Sequence, residues 1–284
     1  VKVVNGHEII QLFESWSQKR YACMPNDPIG LAIGTLNKAV SKVLVTLDVT
    51  DAVVDEAIAN GCELILAHHP PIFMKLSNLR TDNPQGKLYE KLIKNDIAVY
   101  AAHTKIDVAP GGVNDLLADA LGLVDRQILE HTYYEQLMKL AVFVPMTYAE
   151  ELRTALSKVG AGHIGLYDSC SFTTSGEGRF RALERAKPFL GKVGEIEVAD
   201  EINVEVVFPS SIKNKVLKAM LNAHPYEEPA YDLWALDLQA NEQGLGRIGK
   251  LPKPMTLKEF AQHVKVQLDV PALRVVGELD TIVQ

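Results

Sequence analysis

Three short apolar runs, the first rich in β-branched residues, separated by helix-like stretches, constrain this chain more than any other feature. Each ends at residues able to bind a metal. The first, Val43 to Val49 (VLVTLDV), carries Asp48; the second, Leu64 to Ala67, stops at His68-His69-Pro70-Pro71; the third, Ile97 to Ala102, stops at His103, with Asp107 shortly after. Continuous apolar runs of this length, bounded by turn residues, read as strands buried in a parallel sheet. Between the first two, Thr50 to Asn60 predicts a helix: Thr50 or Asp51 can cap it, Val53, Val54 and Ala57 share a face, and Asn60-Gly61 ends it. Gln85 to Lys94 supplies the next helix. Gly6 to Gln18 precedes them with Ile9, Ile10, Leu12, Phe13 and Trp16 at helical spacing, and Gly111 to Leu123 follows. Strand alternating with helix predicts an α/β fold, a mostly parallel sheet with helices on both faces.

The pattern changes after residue 130. Met138 to Pro145 predicts a strand, Tyr148 to Val159 a helix stopped by Gly160, and Gly165 to Thr173 a strand followed by a Gly- and charge-rich hairpin segment. Ala199 to Phe208 alternates apolar and polar residues, as a half-buried strand does. Ile212 to Ala223 reads as an amphipathic helix and Ala230 to Leu238 as a last strand. That β-α-β-β-α-β order is the order of a ferredoxin-like α+β domain. It reads as inserted, because Met255 to Leu268 returns to a helix and Leu273 to Val276 to a strand. The expected organisation is a first α/β half over 1–130, an inserted domain over 131–250, and the start of a second α/β half over 251–284. The Pro-containing stretch Leu251 to Pro254 links back to the first part. Gly244 to Gly249 (GLGRIG) resembles GxGxxG, but it opens no helix and reads as a glycine-permitted turn.

In open α/β sheets, ligand sites lie beyond the carboxyl ends of the parallel strands. His68, His69, His103 and Asp107 would meet there, and imidazole with carboxylate suits zinc, manganese or iron better than calcium. Adjacent histidines inside a strand point to opposite faces, but a strand end followed by two prolines lets both rings reach one cluster. Plainer roles stay open. His68 and His69 could form an exposed loop pair, His103 and Asp107 could cap or turn ahead of Ala109-Pro110-Gly111-Gly112, and Asp48 could cap the following helix or orient a ligand histidine. No GxxxxGK[ST], GxSxG or HExxH pattern occurs, which removes phosphate-loop, serine-hydrolase and zincin chemistry. His7, His131, His163 and His263 stand alone as ordinary polar residues.

Composition narrows the partners. With 29 Lys+Arg against 36 Asp+Glu, the 284-residue chain carries a net charge of −7, a poor match to nucleic acid. No apolar run approaches the roughly 18 residues of a membrane span, and the start, Val1 to Gly6, lacks a secretory pattern. Three scattered cysteines, Cys23, Cys62 and Cys170, exclude a disulfide scaffold and fit small buried side chains in a reducing compartment, the cytoplasm.

The segments AHHPPIF (Ala67 to Phe73) and AAHTKIDVAPGGVNDLLADALGL (Ala101 to Leu123) closely resemble the type-2 GTP cyclohydrolase I family, also called Nif-three-like; GLAIG (Gly30 to Gly34) and VLVTLDVT (Val43 to Thr50) support the resemblance. AHPYEEPAYDL (Ala223 to Leu233) resembles the PII/CutA-like domain inserted in longer bacterial members. The resemblance implies a homohexameric ring with two divalent metal ions per subunit, whether zinc, iron or manganese. It implies His68 and His69 as metal ligands, Asp107 as a bridging carboxylate, and His103, with Asp48, as an outer-shell group or weaker ligand. No side chain is assigned as catalytic. A metal-bound water would attack GTP or a related nucleotide, and Lys105 is the nearby cation for its phosphates. The family's later H-x-x-x-E ligands have no counterpart before Gln284, so the chain is expected to stop where a second α/β half begins. Pro25 to Ile29 departs from the family's W-D-N-x-G-L pattern and keeps Asp27, Gly30 and Leu31. The competing expectation is a non-enzymatic metal-handling or regulatory oligomer, with the insertion as lid or signal-responsive element. Glu227 and Glu228 near His224 could hold a metal, or form a polar run at a subunit contact.

Overall fold

A computed structural model describes residues 3–284; Val1 and Lys2, part of the start read for a secretory pattern, lie outside the described residues. The elements run β1 (Val4–Asn5), α1 (Gly6–Trp16), β2 (Gly30–Ile33), β3 (Ala39–Val40), β4 (Val43–Thr46), α2 (Asp51–Asn60), β5 (Leu64–Ala67), α3 (Pro84–Lys94), β6 (Ala98–Ala101), α4 (Thr104–Val108) and α5 (Val113–Ala120). They continue with β7 (Val124–Pro145), α6 (Ala149–Lys158), β8 (Phe172–Arg181), β9 (Ile196–Pro209), α7 (Lys213–Ala223), β10 (Tyr231–Lys250), β11 (Met255–Thr256), α8 (Leu257–Gln267) and β12 (Ile282–Val283). The result is a mixed α/β protein of two compact units. One comprises the chain up to Tyr133 together with Gln243–Gln284, the other Tyr134–Glu242; the unit boundaries fall inside the long strands β7 and β10.

The first unit is built on a four-stranded sheet of order β2-β6-β5-β4, in which β4, β5 and β6 are parallel and β2 runs antiparallel to β6. Strands β5 and β6 are buried on both faces, which is why they read as unbroken apolar runs. Ile65, Ala67 and Val99 pack with Val54 and Ala57 of α2 and Tyr89 and Leu92 of α3. On the opposite face, Leu64, Ala98 and Tyr100 pack with Ile10 of α1. The helix ends follow the chemistry of their caps. The Thr50 hydroxyl accepts from the Val53 amide at 3.3 Å, and Gly61 takes the left-handed conformation (φ 63) that a β-carbon would resist. Thr50, and not Asp48, is therefore the cap of α2.

The second unit is a four-stranded sheet of order β10-β7-β9-β8, with β7–β9 and β8–β9 antiparallel. Its core lies on one face only: Leu140, Val142 and Val144 of β7 and Ile202, Val204, Val206 and Phe208 of β9 pack against Leu152 and Leu156 of α6 and Val216 and Met220 of α7. The alternation seen from Ala199 to Phe208 thus marks a sheet with one face covered.

Several expectations are corrected. The run from Val43 is a strand only to Thr46, and it is an edge strand, not a buried one; Val45 is 74% exposed. A β-branched run reports that a strand forms, not how many neighbours it gains. The strand expected over Gly165 to Thr173 lies instead over β8, because the polar FTTSGEGRFR segment is held by its ladder to β9. Both long strands exceed their apolar cores: β7 begins at Val124 and β10 runs to Lys250. Gly244 to Gly249 is accordingly strand and not turn. A side chain at Gly244 would collide with the Glu130 carbonyl, so glycine there permits close backbone approach. Leu273 to Val276 is not a strand; the pairing near the end joins Ile282–Val283 to Met255–Thr256. All three cysteines are free, with Cys62 buried and Cys23 and Cys170 half-buried.

Candidate metal centre

The parallel register determines what meets beyond the sheet. Thr46 pairs with Ala67 and Ala67 with Ala101, so β4, β5 and β6 end level. The ladder continues one step past them: the His68 amide donates to the Thr46 carbonyl (2.9 Å), His69 to Leu47 (2.9 Å) and His103 to His68 (2.8 Å). Ring centroids are then 4.8 Å apart for His68 and His69, 6.0 Å for His68 and His103, and 6.3 Å for His69 and His103. His103 sits immediately before α4 with φ 43 and ψ −139, a conformation disfavoured for any residue with a β-carbon and typical of functional sites. The single helical turn after it carries Asp107 back, placing Asp107 Oδ2 3.8 Å from His68 Nε2.

Two carboxylates stand behind the other rings. Asp48 Oδ1 is 2.7 Å from His69 Nδ1. Asp27 Oδ1 bonds His103 Nδ1, and its other oxygen accepts from the Thr104 hydroxyl, which itself accepts from the Cys23 amide at 3.1 Å. In each ring the carboxylate engages Nδ1 and leaves Nε2 as the donor for a ligand, the arrangement by which carboxylates orient metal-binding imidazoles. Burial pulls the His68 pKa below its ordinary value against the opposing pull of Asp107, favouring the neutral ring that binds metal. Burial likewise pushes Asp107 upward, opposed by His68, His103 and His69.

Each residue expected at the site is therefore accounted for. His68, His69 and His103 converge, Asp107 reaches His68, and Asp48 reaches His69. The donors fit a divalent transition metal in kind, and His68 with Asp107 forms one near pair. Among the described residues, however, no three His, Cys, Asp or Glu side chains come together closely enough to hold a metal ion. Asp27 is the site residue the sequence concealed: its side chain is 2% exposed, in a turn-rich stretch 76 positions from His103, and its survival in the altered Pro25–Ile29 pattern was the available signal. Lys105 is a correction. It is fully buried, its Nζ donates to the Tyr100 hydroxyl at 2.9 Å and lies over the Phe13 and Tyr100 rings, and burial lowers its pKa to about 8. A lysine so enclosed is no phosphate clamp. His224 has no ring nitrogen to share with Glu227 and Glu228: Nε2 bonds the Phe143 carbonyl (2.8 Å) and Nδ1 accepts from the Tyr226 amide (3.0 Å).

Known proteins resemble this chain along nearly its whole length. A family model described as Duf34/NIF3 (NGG1p interacting factor 3) matches residues 4–284. A Bacillus subtilis (strain 168) protein named GTP cyclohydrolase 1 type 2 homolog is 54% identical over 283 residues, spanning 100% of this chain and 76% of its own length. A protein of the same name from Halalkalibacterium halodurans is 53% identical over 281 residues, 99% of this chain and 75% of the relative. Among solved structures, a Bacillus cereus protein related to NIF3 superposes with a TM-score of 0.92 at 54% identity, covering 99% of this chain and 75% of that one. The Staphylococcus aureus protein SA1388 gives 0.72 at 29% identity, covering 98% and 73%.

Proposed function

The chain belongs to the Duf34/NIF3 family, and from that premise we propose a metal-dependent hydrolase of the GTP cyclohydrolase type, acting on GTP or a related nucleotide. The observation that carries this reading is the pairing of His68 Nε2 with Asp107 Oδ2 at 3.8 Å, beside two histidines each backed by a carboxylate. His68 and Asp107 would hold a zinc, iron or manganese ion, with His69 as a further ligand of a two-ion site. Bound there, the metal would supply Lewis acidity to a water molecule. The protein's own part is to keep His68 neutral by burial and to fix the His69 and His103 rings through Asp48 and Asp27. Relatives named as GTP cyclohydrolase 1 type 2 homologs support nucleotide chemistry as the first class to assay.

Residues 134–242 are best read as a ferredoxin-like, PII/CutA-like insertion. The β-α-β-β-α-β order, with sheet order β10-β7-β9-β8, supports that assignment. A homohexamer in the cytoplasm completes the proposal; three unpaired cysteines fit a reducing compartment. Among the described residues, no helix is long and apolar enough to cross a membrane.

Elemental analysis after loading with zinc, manganese or iron tests the centre, and formate release from GTP tests the chemistry. The expected result is bound metal that falls in His68→Ala and Asp107→Ala, together with turnover that falls in parallel. Metal binding indifferent to both substitutions would sink the site. Metal bound at these residues without turnover of any nucleotide would favour the second reading, a metal-handling or regulatory protein. That reading draws support from Lys105, whose burial leaves the centre without the cation proposed for a triphosphate.

A further inference from the structure

The second unit contains a cleft of about 930 Å³ on the sheet face opposite its two helices. Strand alternation builds its floor. Ile202, Val204 and Val206 of β9 turn to the helices, so Glu201 and Asn203 turn the other way, alongside Phe143, which pairs with Asn203 on β7, and Gly176, which pairs with Glu201 on β8. Gly178 keeps the floor open, since a β-carbon there would fall inside the Glu201 carboxylate. The walls are the β8–β9 connection and the segment after α7, joined where the Lys187 amide donates to Glu227 Oε2 at 2.9 Å.

Two acceptors on this floor are left over. Glu201 is only 8% exposed; its Oε1 accepts from the Tyr226 hydroxyl at 2.8 Å, and no hydrogen bond reaches Oε2 among the described residues. Asn203 Nδ2 donates to Glu205 Oε1 at 3.1 Å, which orients the amide and leaves Oδ1 buried with no partner. A buried amide oxygen without a donor is costly unless something supplies one, and Glu201 Oε2, on a side chain that is otherwise largely buried, is left as an unpartnered carboxylate oxygen beside it. Around them stand Phe143, Phe180, Phe189 and Tyr226, with ring centroids of 5.8 Å for Phe180–Tyr226 and 6.2 Å for Phe189–Tyr226. Arg179, Arg181 and Arg185 also line the cleft, the first two from strand positions that pair with Val198 and Ile196, but the carboxylates of Glu177, Glu184, Glu201, Glu227 and Glu228 outnumber them. The floor thus offers negative charge, acceptors and aromatic faces, the combination that recognises an organic cation.

We infer that this cleft is a binding site for a small organic cation, a protonated amine or amidine on an apolar or aromatic body. Its N–H groups bond Glu201 Oε2 and Asn203 Oδ1, and its body packs on Phe180, Phe189 and Tyr226. The site lies wholly within residues 134–242 and stands independently of any metal at His68.

The test is calorimetric titration of the full chain with 2-phenylethylamine and its neutral isostere 2-phenylethanol. The amine should bind about tenfold or more tightly than the alcohol. Glu201→Gln, which keeps an acceptor for Tyr226, should remove that preference and leave alcohol binding unchanged. Phe189→Ala, on the exposed connection, should weaken both probes without altering the unfolding transition. Equal binding of amine and alcohol, a preference that survives Glu201→Gln, or no heat with the amine at millimolar concentration would each overturn the assignment.

Discussion

His103 joins three roles in one residue. It receives the ladder from β5, begins α4 in a strained conformation, and places its ring beside His68 and His69. Such a backbone persists only when its surroundings over-determine it, and Asp27 is the main fixed point. Its two oxygens hold His103 Nδ1 and the Thr104 hydroxyl at once. Asp27→Ala should therefore cost about 1–3 kcal/mol in urea denaturation, through two buried donors left unpaired. It should also weaken metal binding about 10–100-fold in a competition titration, because an imidazole loses its orienting carboxylate. Loss of stability without any change in metal affinity would assign Asp27 to the scaffold alone. The histidines and Asp107 were legible in the sequence because they follow successive strand candidates, and open α/β sheets gather residues beyond the carboxyl ends of parallel strands. Asp27 was hidden because its partners are 76 and 77 positions away, and an isolated Asp before Pro28 is otherwise an ordinary turn residue.

At the scale of elements, the glycine-rich end of β10 shows how local pattern and tertiary role diverge. Gly244-Leu-Gly-Arg-Ile-Gly249 has the composition of a turn. Yet Arg247 uses it as a platform, donating to the carbonyls of Gly244 (3.0 Å) and Gly246 (2.7 Å) while its Nε and Nη2 clasp Asp115 of α5. That clasp, with the Gly111 amide, holds the Asp115 pKa below the usual carboxylate range. The pair contributes stability above that range and loses it as pH falls through the depressed value. Arg247→Ala should lower unfolding stability by about 1–3 kcal/mol at neutral pH, with a smaller deficit in acid where Asp115 is protonated. An equal deficit at both pH values would mean that Arg247 acts through packing only. Helices with clear caps were readable from the sequence, as α2 with Thr50 and Gly61 shows. Strand β8 and the half of β10 after Leu238 were not, because a polar strand is recruited by its neighbour's ladder and carries little signal of its own.

Across the whole molecule, the core of the second unit belongs entirely to residues 134–242. A fragment of those residues should unfold cooperatively in urea, since its core residues contact one another without help from the rest of the chain. Its stability should fall from about pH 7.5 to about 5.5. Burial lowers the folded-state pKa of His224 below its ordinary 6.5, so the unfolded chain takes up a proton first and stability is full only above that value. A His224→Gln fragment should lose most of this slope; an unchanged slope would assign it elsewhere. By itself, the sequence determined that strands alternate with helices, that a β-α-β-β-α-β segment interrupts them, and that histidines and a carboxylate follow the strand ends, because hydrophobic period, caps and residue type are local properties. Only the tertiary structure decided that three strands end in register to gather His68, His69 and His103, that Asp27 secures them, that Lys105 is enclosed, and that Glu201 and Asn203 face a cleft. Each of those depends on pairing and burial between residues far apart in the chain, and neither is written in local pattern.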